Sequence, residues 1–102
     1  MASPPGVVTY LFDVAIDGDV SEVRRMVVAG ADIEEQGELG MRPLHVAAKA
    51  GHVEVITVLV EELGADKDAK NAVGWTPLHS AAIKGHVEAI KVLVELGVDK
   101  DP

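Results

Sequence analysis

Apolar residues recur at intervals of three or four positions in short stretches that end at glycine. Leu78, Ala81 and Ala82 follow this spacing, and Gly85 comes shortly afterwards. The next stretch has the same kind of spacing at Val87, Ile90, Leu93 and Leu96, before Gly97. These intervals place apolar side chains on one face of a helix, and glycine suits the left-handed residue that ends many helices. The pattern therefore predicts a pair of short helices.

This helix pair is repeated along the chain. The segment RPLHVAAKAGHVE at 42–54 recurs as TPLHSAAIKGHVE at 76–88, and these copies are one position further apart than Gly64 and Gly97. One residue is therefore inserted near Glu61 and Glu62. Gly18 precedes Gly51 by the same interval that separates Gly64 from Gly97, which indicates a degenerate first copy. We predict one domain over 1–102, made of a degenerate N-terminal repeat (4–36), a middle repeat with one inserted residue (37–70) and a C-terminal repeat (71–102).

Two segments need further interpretation. Residues 53–60 are rich in β-branched side chains and could form a strand. We predict a helix there, because the equivalent segment 87–94 carries alanine and lysine. The connections between repeats have the tips 37–40 and 71–74, and Asn71 with Gly74 suits a type I turn. We expect both connections to be extended, β-hairpin-like loops.

The repeated unit resembles the ankyrin repeat, whose pattern is a β-turn plus two helices around Thr-Pro-Leu-His-x-Ala-Ala. Residues 76–82 match that pattern, and the middle repeat matches with Arg42 in place of threonine. The resemblance implies an all-α repeat solenoid of three helix-turn-helix units joined by β-hairpin-like loops. It also implies a module that binds another protein through its loop tips and the concave face of the first helices.

Matching positions give the partner-binding residues that the resemblance implies. In the middle repeat they are Gln36, Glu38, Leu39, Met41, Lys49 and Ala50. In the third repeat they are Lys70, Ala72, Val73, Trp75, Ser80, Ile83 and Lys84. Ile16 and Asp17 could join them from the first repeat. Trp75 has two interpretations, a binding hot spot or a brace over the neighbouring loop.

Catalytic, metal and cofactor sites are not expected. Equivalent residues of neighbouring repeats lie about 10 Å apart, as packed helices do. His45, His52, His79 and His86 therefore cannot share one ion, and we expect them to bond loop backbone and Thr76. The chain has no cysteine, and His79 and its neighbour Ser80 point in different directions on a helix. No enzymatic activity is therefore predicted.

The net negative charge of the chain excludes some classes of binding partner. Lys and Arg number 9 and Asp and Glu 17, which gives a net charge of −8. This charge argues against nucleic acid and anionic membrane surfaces. We expect an intracellular protein, cytoplasmic by default, with the nucleus also open. One acidic group occupies a single loop and is either a solvated edge or a docking site for basic residues: Asp32, Glu34, Glu35 and Glu38.

The third repeat lacks the polar outer face of a terminal repeat. Apolar surface is therefore expected around Ile90, Val94 and Val98. We expect the chain to be a fragment of a longer array, with weak homo-oligomerisation through this end as a consequence. The alternative function is accordingly self-assembly through the C-terminal helix pair. A third hypothesis is a regulatory or targeting segment of an enzyme whose catalytic part lies outside this sequence.

Overall fold

A computed structural model describes residues 10–98. Its six helices form three consecutive antiparallel pairs, and no β-strand occurs within the described range. The pairs are α1 (Leu11–Asp17) with α2 (Val20–Val28), α3 (Pro43–Ala50) with α4 (Val53–Thr57), and α5 (Pro77–Ile83) with α6 (Val87–Glu95). The all-α repeat architecture predicted from the sequence is confirmed.

The helices form two layers. In the inner layer α3 packs between α1 and α5, and in the outer layer α4 packs between α2 and α6. Fully buried alanines such as Ala15, Ala47 and Ala81 let the inner helices approach closely, while Ile56 and Leu59 fill the space beneath α4. The core is therefore aliphatic, and the main contacts of each pair are with its neighbours.

The residues at the start of α5 in the third repeat take the capping positions predicted from the sequence. Thr76 precedes α5, and its Oγ1 accepts a hydrogen bond from the backbone N–H of His79. Pro77 occupies the first helical position, where its missing N–H costs nothing. The predicted helix over 53–60 is also confirmed, because tertiary contact with α6 and α2 outweighs the local β propensity.

A π-helical turn, Val58–Glu62, continues α4. It lies at the point in the middle repeat where the sequence places the inserted residue. A π turn absorbs one extra residue without breaking the helix, and here the N–H of Leu63 donates to the carbonyl of Val58 at 3.0 Å. Leu59 therefore remains fully buried although the middle repeat is one residue longer.

A histidine–glycine contact closes each junction between neighbouring repeats. The Nε2 of His52 lies 2.7 Å from the carbonyl oxygen of Ile16, and its ring lies against Gly18. The ring of His86 lies in the same way against Gly51. A Cβ on either glycine would meet the imidazole ring at 2.7–2.8 Å.

Replacing Gly51 with alanine should therefore destabilise the chain by about 2 kcal/mol or more. Gly51 has a φ of 78°, a conformation that costs a residue with a Cβ about 1–2 kcal/mol. The new methyl group would also displace His86. Chemical denaturation measures the effect. Gly85 is the matched control, because its φ is 70° but nothing lies within 4 Å of its Cβ position. Equal losses for Gly51→Ala and Gly85→Ala would contradict a role for the histidine contact.

Candidate partner-binding surface

Two loops project from the inner helices, and in each a backbone hydrogen bond joins the two sides of the loop. The N–H of Gly37 donates to the carbonyl of Met41 at 2.8 Å, and the N–H of Asn71 donates to that of Trp75 at 2.9 Å. The N–H of Ala72 also donates to the carbonyl of Leu39 at 2.7 Å. The loops are thus hairpin-like and joined at their tips, although no strand forms within residues 10–98.

The two tips differ in backbone conformation. Leu39 has a φ of 58°, which excludes a type I turn over residues 37–40. The first tip therefore departs from the turn type that the sequence indicates for residues 71–74. Leucine disfavours this left-handed region, and its side chain is nevertheless 65% exposed. The first loop thus holds an apolar side chain out in solvent in a strained conformation.

Asn71 organises the second tip. Its Oδ1 accepts hydrogen bonds from the backbone N–H groups of Val73, at 3.0 Å, and Trp75, at 2.9 Å. Its Nδ2 lies 3.1 Å from the Sδ of Met41 in the first loop. The Asn71 side chain therefore fixes the direction in which Val73 and Trp75 leave the backbone.

A first hollow of about 490 Å³ opens between α1, α3 and the first loop. Its wall includes the stacked rings of Tyr10 and Phe12, whose centroids are 5.0 Å apart. The remaining lining residues are Asp13, Ile16, Gly37, Glu38, Met41, Val46 and Lys49. This hollow combines an aromatic wall with charges of both signs.

A second hollow of about 310 Å³ lies one repeat further along the same face. Its lining is predominantly apolar and consists of Glu38, Leu39, Met41, Lys49, Asn71, Val73, Trp75, Ser80 and Ile83. The hollows share Glu38, Met41 and Lys49, so they adjoin each other. We call the two adjoining hollows together the inner groove.

The structure exposes most of the residues predicted to bind a partner. Val73 is 56% exposed, Ile83 57% and Trp75 40%, although these are large apolar side chains. Other predicted positions that are exposed are Gln36, Glu38, Leu39, Lys49, Lys70, Ala72 and Lys84. Met41 and Ala50 are half-buried. Ile16 lines the first hollow, and Asp17 is exposed near it on α1.

Ser80 is a correction to the predicted set. It is only 2% exposed and its hydroxyl lies beneath the second hollow, so it presents no free surface. Conversely, Tyr10, Phe12, Asp13 and Val46 line the first hollow but were not predicted. Alignment of the degenerate first repeat with residues 76–80 could have indicated Tyr10, Phe12 and Asp13. These three residues hold the positions of Pro77, His79 and Ser80 in the third repeat.

The acidic group of the first loop, identified from the sequence, makes contacts with other parts of the fold. The carboxylate of Glu34 pairs with Arg42 at 3.1 Å and accepts a hydrogen bond from the N–H of Asp66 at 2.7 Å. The carboxylate of Glu35 accepts from the N–H of Phe12 at 3.2 Å. The Glu34 carboxylate therefore joins the first repeat to the second, whereas the Glu35 carboxylate holds its loop against α1 of the same repeat. Glu38 is the member of the group that faces the inner groove.

Two of the histidines, His45 and His79, bond loop backbone and Thr76 as the sequence indicated, whereas His52 bonds the carbonyl oxygen of Ile16 in α1. The Nδ1 of His79 lies 3.0 Å from both the backbone nitrogen and the Oγ1 of Thr76. His45 is fully buried; its Nδ1 accepts from the N–H of Arg42 at 3.1 Å, and its Nε2 lies 2.9 Å from the carbonyl oxygen of Trp75. His45 is therefore neutral, with its proton on Nε2, and holds the second loop against α3.

Burial lowers the pKa of His45 below its ordinary value of 6.5. The unfolded chain then binds a proton that the folded chain does not, so stability is complete above about pH 6.5 and falls as the pH drops below it. The slope should approach about 1.4 kcal/mol per pH unit at most. Urea denaturation between about pH 8 and pH 5 measures it. His45→Gln should flatten this slope, and an unchanged slope in this variant would contradict the assignment.

The predicted self-association residues are only partly exposed. Val94 is 36% exposed and Ile90 is half-buried. The exposure expected for Val98 is wrong, since it is 5% exposed. The chain turns back at Gly97, the N–H of Val98 donates to the carbonyl of Leu93, and the Val98 side chain joins the core.

Stacked helix pairs with projecting loops define a helical repeat solenoid. A family model described as ankyrin repeats, in three copies, matches residues 11–102, and the chain belongs to the ankyrin-repeat family. Ankyrin repeats are in general protein–protein interaction modules. No helix within residues 10–98 is long and apolar enough to cross a lipid bilayer.

Two curated relatives match part of the chain. Mouse glutaminase liver isoform, mitochondrial, is 44% identical over 55 residues, and the rat protein of that name is 42% identical over 55 residues. The match covers 54% of this chain but 9% of either glutaminase. This similarity is thus confined to a small part of the glutaminases.

Proposed function

We propose that this chain is a non-catalytic binding module that holds a segment of a partner protein in the inner groove. The observation that carries the proposal is the set of exposed apolar side chains at the second hollow. Leu39, Val73, Trp75 and Ile83 are each at least 40% exposed and lie around one concave site. Clustered exposed apolar residues with a polar rim are typical of protein-binding surfaces.

The charges support a polypeptide partner. Glu38 and Lys49 line both hollows, so they border the place where a bound segment would cross from one hollow to the other. Opposite charges at such a border favour one register and direction of a polar backbone over others. The apolar second hollow would then supply most of the affinity and the charged pair the specificity.

A capture experiment with matched variants tests this proposal. The wild-type chain, a Met41→Ala/Trp75→Ala variant and an Ile90→Gln/Val94→Gln variant are immobilised at equal density, after circular dichroism shows equal folding. We expect the Met41→Ala/Trp75→Ala variant, which alters the inner groove, to lose the partners that the wild type captures. The Ile90→Gln/Val94→Gln variant, which alters α6, should retain them. Equal capture by Met41→Ala/Trp75→Ala and by the wild type would contradict binding in the inner groove.

We also propose self-assembly through the C-terminal helix pair as a second candidate function. Leu44, Ala48 and Ile56 are buried beneath the third repeat, whereas the equivalent Leu78 and Ile90 are half-buried and Ala82 is exposed. This difference leaves an apolar face beside α6. Light scattering across a range of concentrations tests the candidate. Concentration-dependent association that Ile90→Gln/Val94→Gln abolishes would support it, and a monomer at every concentration would contradict it.

A further inference from the structure

All three aromatic residues of the chain line the inner groove. The sequence contains one Trp, one Tyr and one Phe. Trp75 lines the second hollow, and Tyr10 and Phe12 line the first. Phe12 is half-buried, Tyr10 is 46% exposed and Trp75 is 40% exposed, so the aliphatic core encloses none of them. Aromatic side chains that stay outside a core and gather at a hollow indicate binding of a partner.

The first repeat differs from the middle one at the positions that build the first hollow. Tyr10 and Phe12 stand where the middle repeat has Pro43 and His45, and Asp13 stands where it has a valine. The proline and the histidine serve the fold, since Pro43 begins α3 and His45 bonds the second loop. A terminal repeat needs polar residues on its outer face, which does not explain two aromatic rings on the inner one. These differences therefore point to the surface of the hollow.

The two rings are held in place by the first loop. The centroids of Tyr10 and Phe12 lie 5.0 Å apart, and the angle between the ring planes is 23°. The Phe12 ring lies so close to Gly37 that a Cβ on this glycine would meet it at 2.9 Å. The backbone N–H of Phe12 also donates to the carboxylate of Glu35 at 3.2 Å. The fixed Phe12 ring thus supports the exposed Tyr10 ring, and a preorganised ring loses little freedom when a ligand binds.

Two exposed carboxylates line the same hollow without a cationic partner. They belong to Asp13 and Glu38, and no lysine or arginine within residues 10–98 forms an ion pair with either. The cation among the lining residues, Lys49, lies near the opposite end of its helix from the first loop and forms no ion pair in this range. An exposed ring beside unpaired carboxylates is an environment that suits a guanidinium group.

We propose that the first hollow binds an arginine side chain of the partner segment, while the adjoining second hollow takes an apolar side chain. The guanidinium stacks on the Tyr10 ring and pairs with the carboxylates of Asp13 and Glu38. A planar, weakly hydrated guanidinium can do both at once, whereas the compact ammonium of lysine is less suited to stacking. The net charge of −8 also favours the approach of a basic segment. The inference rests on the proposed function, because it names the residue that this part of the groove selects.

The test begins with peptides selected from a random display library on the immobilised wild-type chain. The tightest peptide that contains arginine is synthesised again with citrulline at each arginine in turn, because citrulline keeps the shape and removes the charge. Calorimetry then compares the peptides on the wild type, Asp13→Asn/Glu38→Gln and Tyr10→Leu. We expect the wild type to prefer arginine at one position by about tenfold. This preference should fall to about twofold or less in Asp13→Asn/Glu38→Gln, and by about threefold in Tyr10→Leu.

The control variant is Glu54→Gln/Glu61→Gln, which removes two exposed carboxylates that line neither hollow. It changes the net charge by the same amount as Asp13→Asn/Glu38→Gln, and it should keep the preference for arginine. Asparagine at position 13 retains an oxygen that can accept the 3.4 Å bond from the N–H of Tyr10, and circular dichroism checks that the helices are intact. The preference in the wild type should also shrink as NaCl rises from about 50 mM to about 500 mM, because salt screens exposed charges.

The outcomes separate this inference from the proposed function. The inference is overturned, and the proposed function stands, if peptides bind in the inner groove without enrichment of arginine. It is also overturned if the preference survives in Asp13→Asn/Glu38→Gln or in Tyr10→Leu, or if Glu54→Gln/Glu61→Gln loses it equally. If the wild type selects no peptide, or if Met41→Ala/Trp75→Ala leaves peptide binding unchanged, binding in the groove fails and the inference fails with it.

Discussion

Truncation of Trp75 to alanine should weaken binding of the captured partner by about 2 kcal/mol, roughly 30-fold or more, while the helices remain folded. The indole lies at the second hollow with 40% of its surface exposed, which leaves it free to contact a partner. The hydrogen bonds of this residue are made by its backbone: the carbonyl oxygen lies near His45 and the N–H donates to Asn71. Alanine retains both.

The control for this prediction is Val28→Ala. Val28 is 87% exposed on α2 and lines neither hollow, so its truncation removes exposed apolar area away from the inner groove. Calorimetry with the captured partner compares the two variants. If Trp75→Ala binds as tightly as Val28→Ala, the indole acts only as a brace for the loop, and the hot-spot interpretation is wrong.

The second large effect is expected in the core. Ile56→Ala should lower the free energy of unfolding by about 3 kcal/mol, because Ile56 is fully buried between α4 and the neighbouring repeats. The equivalent Ile90 is half-buried at the edge of the array. Ile90→Ala should therefore cost clearly less, and urea denaturation of both variants measures the difference.

This matched pair tests whether stability comes from the contacts between repeats. In a linear array each interior residue is buried by its own repeat and by the next one. Equal losses for Ile56→Ala and Ile90→Ala would show that burial against the neighbouring repeat contributes nothing measurable. A larger loss for Ile56→Ala would identify the interface between the second and third repeats as a main source of stability.

The helix pairs were predictable because their signals are local. Thr76 before Pro77, and the three- and four-residue spacing that follows, fix α5 without knowledge of any other element. The changed repeat offset also showed where one residue is inserted. Its form as a π turn could not be predicted, because that depends on keeping Leu59 buried against the other helices.

The groove was less predictable than the fold. Matching positions placed Val73, Trp75 and Ile83 at the surface, as the structure shows. The burial of Ser80 and the left-handed Leu39 follow from packing between repeats and from the contact between the two loop tips, which no single repeat contains. Tertiary contacts of this kind leave no periodic signal in the sequence.

The most direct test of binding in the inner groove is a titration of the isotopically labelled chain with the captured partner, followed by amide chemical shifts. We predict that the largest changes occur along the groove, at Met41, Lys49, Val73, Trp75 and Ile83, while Arg24, Glu54 and Lys91 on the outer helices change little. Changes confined to the outer helices, or to α6 around Ile90 and Val94, would contradict the proposed binding surface.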